Sequence, residues 1–261
     1  MTREPSLIEQ IGAVARRSAT ATYRQRALLF FPMLFPLILF AINGSALSKA
    51  TEIPGFPTHT YRAFLIAMPF VQGAMFVSIS TGTSMARDIE TGFLNRLALT
   101  PLRPEAMLLG QLGGAFVVAC VQAVVYLLIG LATGVTFVSG VGGVLVLLAL
   151  ALTISFAFAS LGGLLGLRLG SGEAIQGIFP LLFVTLFLSS SSLPRNLIKA
   201  PWFREVATYN PVSYLLEGLR SLVITGWNAQ ALELGFGFAG VLAVGSLALS
   251  GRAMKSRLAR T

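Results

Sequence analysis

Charged side chains of both signs gather in segment 87–101, which reads RDIETGFLNRLALTP. Two long uncharged runs flank it, and the whole chain has only 10 acidic residues. Asp88 and Glu90 closely follow Arg87 and precede Arg96. Carboxylate and guanidinium groups form ion pairs, which set the register and specificity of an interface more than its affinity. The segment is therefore predicted to be a docking surface for another molecule, with an ordinary solvated loop as the alternative.

The same segment is predicted to form a short, rigid helix, after which the chain turns sharply into the next uncharged run. Asp88 and Glu90 are predicted to lie near the N-terminus of this helix, where negative charge interacts favourably with the helix dipole. Gly92 permits a tight bend or the close approach of another backbone. Pro101 fixes its own backbone and stiffens the chain after the helix. A rigid segment suits a surface that must bind in one register.

Residues for catalysis and for metal binding are scarce. Cys120 is the single cysteine and His59 the single histidine, so an internal disulfide, a cysteine-based metal site and any site with two histidines are excluded. An ATP-binding P-loop needs a lysine after the pattern Gly-x-x-x-x-Gly, and none of Lys49, Lys199 and Lys255 follows that pattern. A membrane-embedded enzyme is therefore disfavoured, and any ATP hydrolysis is expected from another polypeptide.

The composition of the chain indicates a membrane protein. It is 55% hydrophobic and 11% charged, with a mean hydropathy of +0.79, whereas soluble domains carry roughly 25% charged residues. A helix needs about 20 apolar residues to cross the hydrocarbon core, and the uncharged run 106–167 is long enough for two crossings around a glycine-rich break. The sequence predicts an all-α polytopic protein with a single transmembrane domain, 1–261. The six predicted transmembrane helices are 27–48, 63–86, 106–133, 141–167, 174–193 and 232–251.

Two further segments are predicted to lie at the membrane surface. Residues 1–26 carry a helical stripe of apolar positions among several arginines, which is typical of an amphipathic interfacial helix. Residues 194–230 are predicted to form an external cap before the sixth span. Glu217 and Arg220 interrupt its most apolar part, and a charge at mid-membrane costs at least ~2.5 kcal/mol. The cap is therefore expected to contain short re-entrant helices rather than a seventh span.

The distribution of basic residues predicts the orientation of the chain. With six spans and both termini in the cytoplasm, the inner segments hold 13 of the 19 Lys and Arg residues, in agreement with the positive-inside rule. Basic inner segments are attracted to the anionic lipids of the cytoplasmic leaflet. Membrane lipid therefore accounts for the net charge of +9, and no nucleic-acid partner is expected.

Two motifs, taken together and in this order, resemble those of type-2 ABC export permeases. The first is segment 87–97, followed by Thr100-Pro101 and by Leu109-Gly110-Gln111. The second is the run 209–220, YNPVSYLLEGLR, before the last span. The chain is most similar to the daunorubicin-resistance subgroup of multidrug and antibiotic exporters, and the resemblance covers essentially the whole sequence.

The resemblance implies an assembly of several subunits. Two permeases, identical or homologous, would pair as a dimer in the bacterial plasma (inner) membrane. Each would rest on an ABC ATPase subunit, which would bind ATP and Mg²⁺, so the permease itself would carry neither cofactor nor ATPase site. Segment 87–104 would form the coupling helix that contacts the ATPase. The residues assigned to coupling are Arg87, Asp88, Glu90, Thr91, Gly92, Arg96 and Pro101, and those assigned to the external cap are Asn210, Pro211, Tyr214, Glu217 and Arg220.

The resemblance also implies that the substrate passes between the two permeases, along the second and fifth spans. No charged residue lies within a span core, which argues against ion-coupled carriers and strongly charged solutes. Phenylalanine and methionine surfaces adapt to varied apolar guests, so an amphipathic small molecule is the expected cargo. A cell-envelope lipid or a lipid-linked glycan is the alternative cargo, and a non-transporting subunit is the alternative role. The residues assigned to the substrate path are Gln72, Met75, Phe76, Phe179, Phe183 and Phe187.

Overall fold

A computed structural model describes residues 6–24, 26–93, 96 and 104–258. All regular secondary structure in this part of the chain is α-helix or 3-10 helix, with no strand. The all-α fold class is confirmed. Two 3-10 turns, Ser48–Glu52 and Arg195–Leu197, accompany the α-helices. The α-helices are α1 (Leu7–Arg24), α2 (Arg26–Ala46), α3 (Tyr61–Leu65), α4 (Ala67–Glu90), α5 (Pro104–Ala132), α6 (Gly140–Leu169), α7 (Gly172–Phe187), α8 (Pro201–Tyr209), α9 (Pro211–Ile224) and α10 (Ala229–Leu258).

Four helical stretches among the described residues are long and apolar enough to cross a membrane. They are Tyr61–Glu90, Ala106–Ala132, Gly140–Leu169 and Ala229–Met254, each of 26 to 30 residues. The apolar helix α7 (Gly172–Phe187) is shorter, and the apolar stretch Pro32–Ala46 is the later part of α2. At 1.5 Å per residue, the 16 residues of α7 reach about 24 Å, less than the ~30 Å hydrocarbon core. The chain is an integral membrane protein, and the count of six spans stays a prediction.

Helix α4 is the most enclosed of the four long helices and lies at the centre of the fold. It packs against α2, α5, α6 and α7, and its C-terminal end leads directly into the charged segment. Its closest neighbour is α6, where the two backbones meet at glycines. A Cβ at Gly162 would overlap the carbonyl oxygen of Ser78, and a Cβ at Gly166 would lie 2.5 Å from that of Gly82. Small residues of this kind let membrane helices approach closely.

Helix α1 packs along the first turns of α5, again at glycines. A Cβ at Gly113 would lie 2.5 Å from that of Ala15, and Gly110 faces Val14 just as closely. The Ser18 hydroxyl donates to the carbonyl oxygen of Gln111 at 3.0 Å. The apolar stripe on segment 1–26 therefore packs at least partly on the protein itself, with Val14 only 9% exposed.

Candidate functional site

The charged segment begins as a continuation of α4. That helix runs without a break to Glu90, and Gly92, at φ +65°, ends it in the left-handed conformation with its N–H donating to the Ile89 carbonyl oxygen at 2.9 Å. The prediction that Asp88 and Glu90 begin a separate short helix is wrong. Both lie in the last turn of α4, because nothing before Gly92 breaks the helix. The dipole of α4 therefore does not stabilise these carboxylates, and donors from other parts of the chain take that role.

Asp88 is held by residues of its own chain. Its Oδ2 accepts a hydrogen bond from the Gln111 amide at 2.8 Å, and its Oδ1 lies 3.9 Å from the Arg17 guanidinium. Arg17 also stacks over the ring of Phe93, with the guanidinium carbon 3.8 Å from the ring centroid. The Asp88 side chain is only 18% exposed, so this carboxylate joins α4 to α1 and α5 rather than facing a partner.

Glu90 links the charged segment to the turn between α6 and α7. Its Oε1 accepts from the backbone N–H of Gly172 at 3.2 Å, at the first residue of α7. A carboxylate at a helix N-terminus is favoured by the helix dipole and by the unpaired N–H groups there. Any displacement of Glu90 therefore acts on the start of α7 as well as on α4.

The remaining residues of the segment are directed outward or lie beyond the described chain. Arg87 and Arg96 are exposed. The Thr91 hydroxyl donates to the Arg87 carbonyl oxygen at 2.8 Å, and Arg96 donates to the Thr91 carbonyl oxygen at 3.2 Å. Pro101 lies outside the described residues. The segment thus presents two arginines on a turn that is fixed by its own hydrogen bonds.

A small cavity lies beneath the charged segment, and several residues around it contact the segment although sequence reasoning missed them. The end of α10 contributes Met254, which is fully buried although the predicted last span ended at residue 251. Sequence reasoning also missed Arg17 and Gln111. The one sequence signal for either residue is that Gln111 is polar and lies within an apolar run. The lining residues are Val14, Met85, Asp88, Phe93, Met107, Gln111 and Met254.

Four of the predicted path residues form one aromatic row. Phe179 and Phe183 have ring centroids 4.5 Å apart, and Phe76 lies 5.1 Å from Phe179. Phe187 continues the row at 6.3 Å from Phe183. Phe35 of α2, which was not predicted, joins it at 5.8 Å from both Phe76 and Phe183. Three helices, α2, α4 and α7, therefore build this row together.

Gln72 and Met75 lie apart from the aromatic row. Both side chains are completely buried within the chain. Since they belong to the enclosed face of α4, the structure does not bring them together with Phe76, the neighbour of Met75 in sequence.

Segment 194–230, predicted to be an external cap, is anchored at the Asn-Pro corner between α8 and α9. The Asn210 Oδ1 accepts from the Val212 N–H at 2.9 Å, and Pro211 occupies the first turn of α9. The Asn210 amide also donates to the Thr185 carbonyl oxygen of α7 at 2.6 Å. Tyr214 donates its hydroxyl to the carbonyl oxygen of Thr208 at 2.8 Å. The corner thus ties the cap to the helix that carries most of the aromatic row.

The two charged residues of α9 have different partners. Glu217 forms an ion pair with Arg195, a residue that sequence reasoning missed, and this contact raises the pKa of the arginine. The Arg220 guanidinium is buried and donates to the carbonyl oxygens of Phe64, Ser190 and Ser191 at 2.7–2.8 Å. Burial lowers the pKa of Arg220 to about 9, so it stays protonated at neutral pH.

Comparison with known proteins identifies the family. The model of the ABC-2 type transporter family matches residues 9–224, well over half of the chain. The daunorubicin resistance ABC transporter permease protein DrrB1 of Streptomyces coeruleorubidus is 28% identical over 225 residues, which cover 79% of this chain and 75% of the relative. A putative transport permease, ycf38 of Porphyra purpurea, is 24% identical over 227 residues, or 85% of this chain and 77% of the relative. The ycf38 protein of Pyropia yezoensis is 26% identical over 234 residues, with the same two coverages.

The matched region contains the charged segment, the aromatic row and the Asn-Pro corner. An ABC-2 permease is the transport component of its complex and works with an ABC ATPase subunit. The predicted resemblance is confirmed, and the chain belongs to the ABC-2 type transporter family as a DrrB-like permease subunit of an ABC exporter.

Proposed function

We propose that this permease exports amphipathic, drug-like small molecules from a bacterial cell. The observation that carries the proposal is the aromatic row on α2, α4 and α7. Phe35 and Phe187 are 42% and 53% exposed, so the row is open to an apolar guest along its length. Aromatic surfaces bind planar and amphipathic molecules through large contact areas. The name of DrrB1, a daunorubicin resistance permease, supports the same substrate class.

A direct test replaces one ring of the row. The complex of permease and partner ATPase is reconstituted in liposomes, and ATP-dependent movement of daunorubicin is measured. Phe183→Ala is expected to lower transport about tenfold, because Phe183 lies next to all four other rings of the row. Leu181→Ala, an exposed apolar residue of the same helix, is the matched control and should transport normally. Equal transport by both variants would rule out the row as the path.

A lipid or a lipid-linked glycan is the second candidate cargo, supported by the same exposed aromatic row. The liposome assay separates the two cargoes when a fluorescent phospholipid replaces daunorubicin. Lipid movement without daunorubicin movement in the wild-type complex would overturn the drug proposal and favour this alternative.

We further propose that the outward-facing part of the charged segment docks on the ATPase. Arg87 and Arg96 supply exposed charge, and Gly92 fixes the turn between them. The complete complex would contain two permeases, identical or homologous, and two ATPase subunits that bind ATP and Mg²⁺. Movement of the ATPases would be transmitted through α4 and, by way of Glu90, through α7.

Substitutions at Glu90 and Gly92 test the docking proposal. Proline at position 92 is incompatible with φ +65° and removes the N–H that closes the turn. Gly92→Pro and Glu90→Ala are both expected to insert normally in the membrane but to hydrolyse ATP without export. Gly92→Asn, which tolerates the left-handed conformation, is the control and should retain export. Full export by both Gly92→Pro and Glu90→Ala would show that the segment does not couple.

The proposed topology has six spans in the inner membrane with both termini in the cytoplasm. Reporter fusions at residue 95 and after residue 261 are expected to report the cytoplasm, and a fusion near residue 198 the outside. Since α7, with 16 residues, is shorter than a standard span, it would cross with the help of the flanking residues or of local bilayer thinning. Any other reporter pattern contradicts six spans.

A further inference from the structure

The contact between α4 and α5 has a polar centre, formed by Gln72, Gln122 and Tyr126 and called here the polar seam. These side chains are 0%, 3% and 1% exposed. Gly73 makes room for them. A Cβ at Gly73 would lie 2.8 Å from the Tyr126 ring, 3.0 Å from the Gln122 Oε1 and 3.1 Å from the Tyr126 hydroxyl oxygen. The polar groups of α5 therefore converge on the backbone of α4, next to Gln72.

The polar seam is incompletely hydrogen-bonded. Among the described residues, neither the amide nitrogen nor the amide oxygen of Gln72 has a protein partner, and the Tyr126 hydroxyl has none. Buried polar groups without partners cost free energy, and lipid supplies no substitute. The Tyr126 ring itself is well packed, with Phe70 edge-on at 5.6 Å. The unfavourable part of the seam is thus confined to its hydrogen-bonding groups.

The neighbouring contacts of α4 and α5 are of another kind. Helix α4 meets α6 backbone to backbone at Gly82, Gly162 and Gly166. Helix α1 packs as closely on α5, with the side chains of Val14 and Ala15 against Gly110 and Gly113. Helices packed this closely do not slide past each other by small, continuous steps. We therefore treat α4 with α6 as one unit and α1 with α5 as another, and the polar seam lies between the two units.

We propose that the polar seam is the joint at which these two units shift during transport, and that Gln72 pairs with Gln122 or Tyr126 in the other state of the cycle. The inference rests on the proposed ATP-driven function. The charged segment is well placed to drive the shift, because Asp88 of α4 bonds to Gln111 of α5 across the cytoplasmic end of the same contact. Gln72, Gln122 and Tyr126 are accordingly positioning residues for the transport reaction.

Distances between spin labels test the joint directly. In a Cys120→Ser background, labels at Ser80 and Val117 report on the α4–α5 contact, and labels at Ser80 and Leu161 report on the α4–α6 contact. Ser80 and Val117 are exposed and Leu161 is partly exposed. When the complex with its ATPase is trapped with ATP and vanadate, the first distance is expected to change by about 2 Å or more and the second to stay constant.

The outcomes distinguish a failure of the proposed joint from a failure of the proposed function. The comparison needs only nucleotide binding and a single hydrolysis event at the ATPase, so it is decisive even if no substrate is moved. Two constant distances, or two that change alike, would overturn the joint while leaving ATP-driven transport intact. Failure of the proposed function would instead appear as transport that is independent of ATP.

A second measurement separates the joint from a merely structural role. Tyr126→Phe removes only the unpartnered hydroxyl, so the melting temperature is expected to stay the same or rise. Turnover is expected to fall about tenfold, with the apparent affinity for ATP unchanged. Tyr209→Phe, which removes an exposed hydroxyl, is the control. Wild-type turnover by Tyr126→Phe would overturn the proposal.

Discussion

The glycine contact between α4 and α6 gives a sharp prediction because two adjacent glycines differ in their surroundings. A Cβ at Gly162 would overlap the carbonyl oxygen of Ser78 on α4, whereas the nearest atom to a Cβ at Gly163 is the Thr81 Cγ2, 4.0 Å away. Gly162→Ala and Gly163→Ala add the same methyl group to adjacent positions of the same helix. Only the first methyl group is forced against the backbone of α4.

The magnitude of the effect follows from the overlap. A Cβ at Gly166, one turn further along, would lie 2.5 Å from the Gly82 carbonyl oxygen, and ordinary contacts are 3.4–4 Å. The helices must then separate by roughly 1 Å, and the overlap at Gly162 is larger still. Overpacking of this kind costs about 1–3 kcal/mol, whereas Gly→Ala in a helix gains up to about 1 kcal/mol. We expect a net loss of about 2 kcal/mol for Gly162→Ala and a gain of up to about 1 kcal/mol for Gly163→Ala.

Thermal unfolding of the purified variants in detergent measures this difference. With about 2–4 °C per kcal/mol for a chain of this size, the melting temperatures of the two variants should differ by roughly 6–12 °C. Because α4 carries the charged segment, Gly162→Ala should also weaken ATP-driven transport. Equal melting temperatures for the two variants would refute the packing argument, since the added methyl group would then meet the same surroundings at both positions.

Three further substitutions test other contacts. Arg17→Gln removes the stacking on Phe93 and the ion pair with Asp88, so transport should fall severalfold at an unchanged melting temperature, whereas Arg16→Gln should behave as wild type. Arg220→Leu leaves three buried carbonyl oxygens without their donor, and the melting temperature should drop by more than that of Arg220→Lys; a stable Arg220→Leu variant would contradict the buried role. Asn210→Ala removes the cap of α9 and should cost about 1 kcal/mol in unfolding free energy, and an unchanged melting temperature would refute the capping assignment.

Much of the architecture follows from the distribution of charge along the sequence. Long uncharged runs have to be helices in a membrane, because only a helix satisfies its own backbone there. The position of the charged segment after the second run therefore placed it at one end of α4. The Asn-Pro corner was predictable for a similar reason, since asparagine caps a helix and proline suits its first turn.

The directions of individual side chains were not predictable in the same way. Lipid is as apolar as a protein core, so the sequence of a span does not mark which face is enclosed. Met75 and Phe76 are adjacent and both apolar, yet only Phe76 joins the aromatic row. The inward direction of Asp88 depends on Gln111 and Arg17, which are distant in sequence and which only the packing of α1 on α5 brings near.

The proposed mechanism requires that the outward face of the charged segment binds a separate ATPase. Site-specific photo-cross-linking tests this contact, with the photoreactive amino acid placed at Arg96 and, as a control, at the exposed Trp202 of the predicted cap. In cells that contain both subunits, the probe at position 96 should capture the ATPase, and the probe at position 202 should not. Transport that proceeds normally while position 96 captures no ATPase would show that the ATPase does not dock on the charged segment.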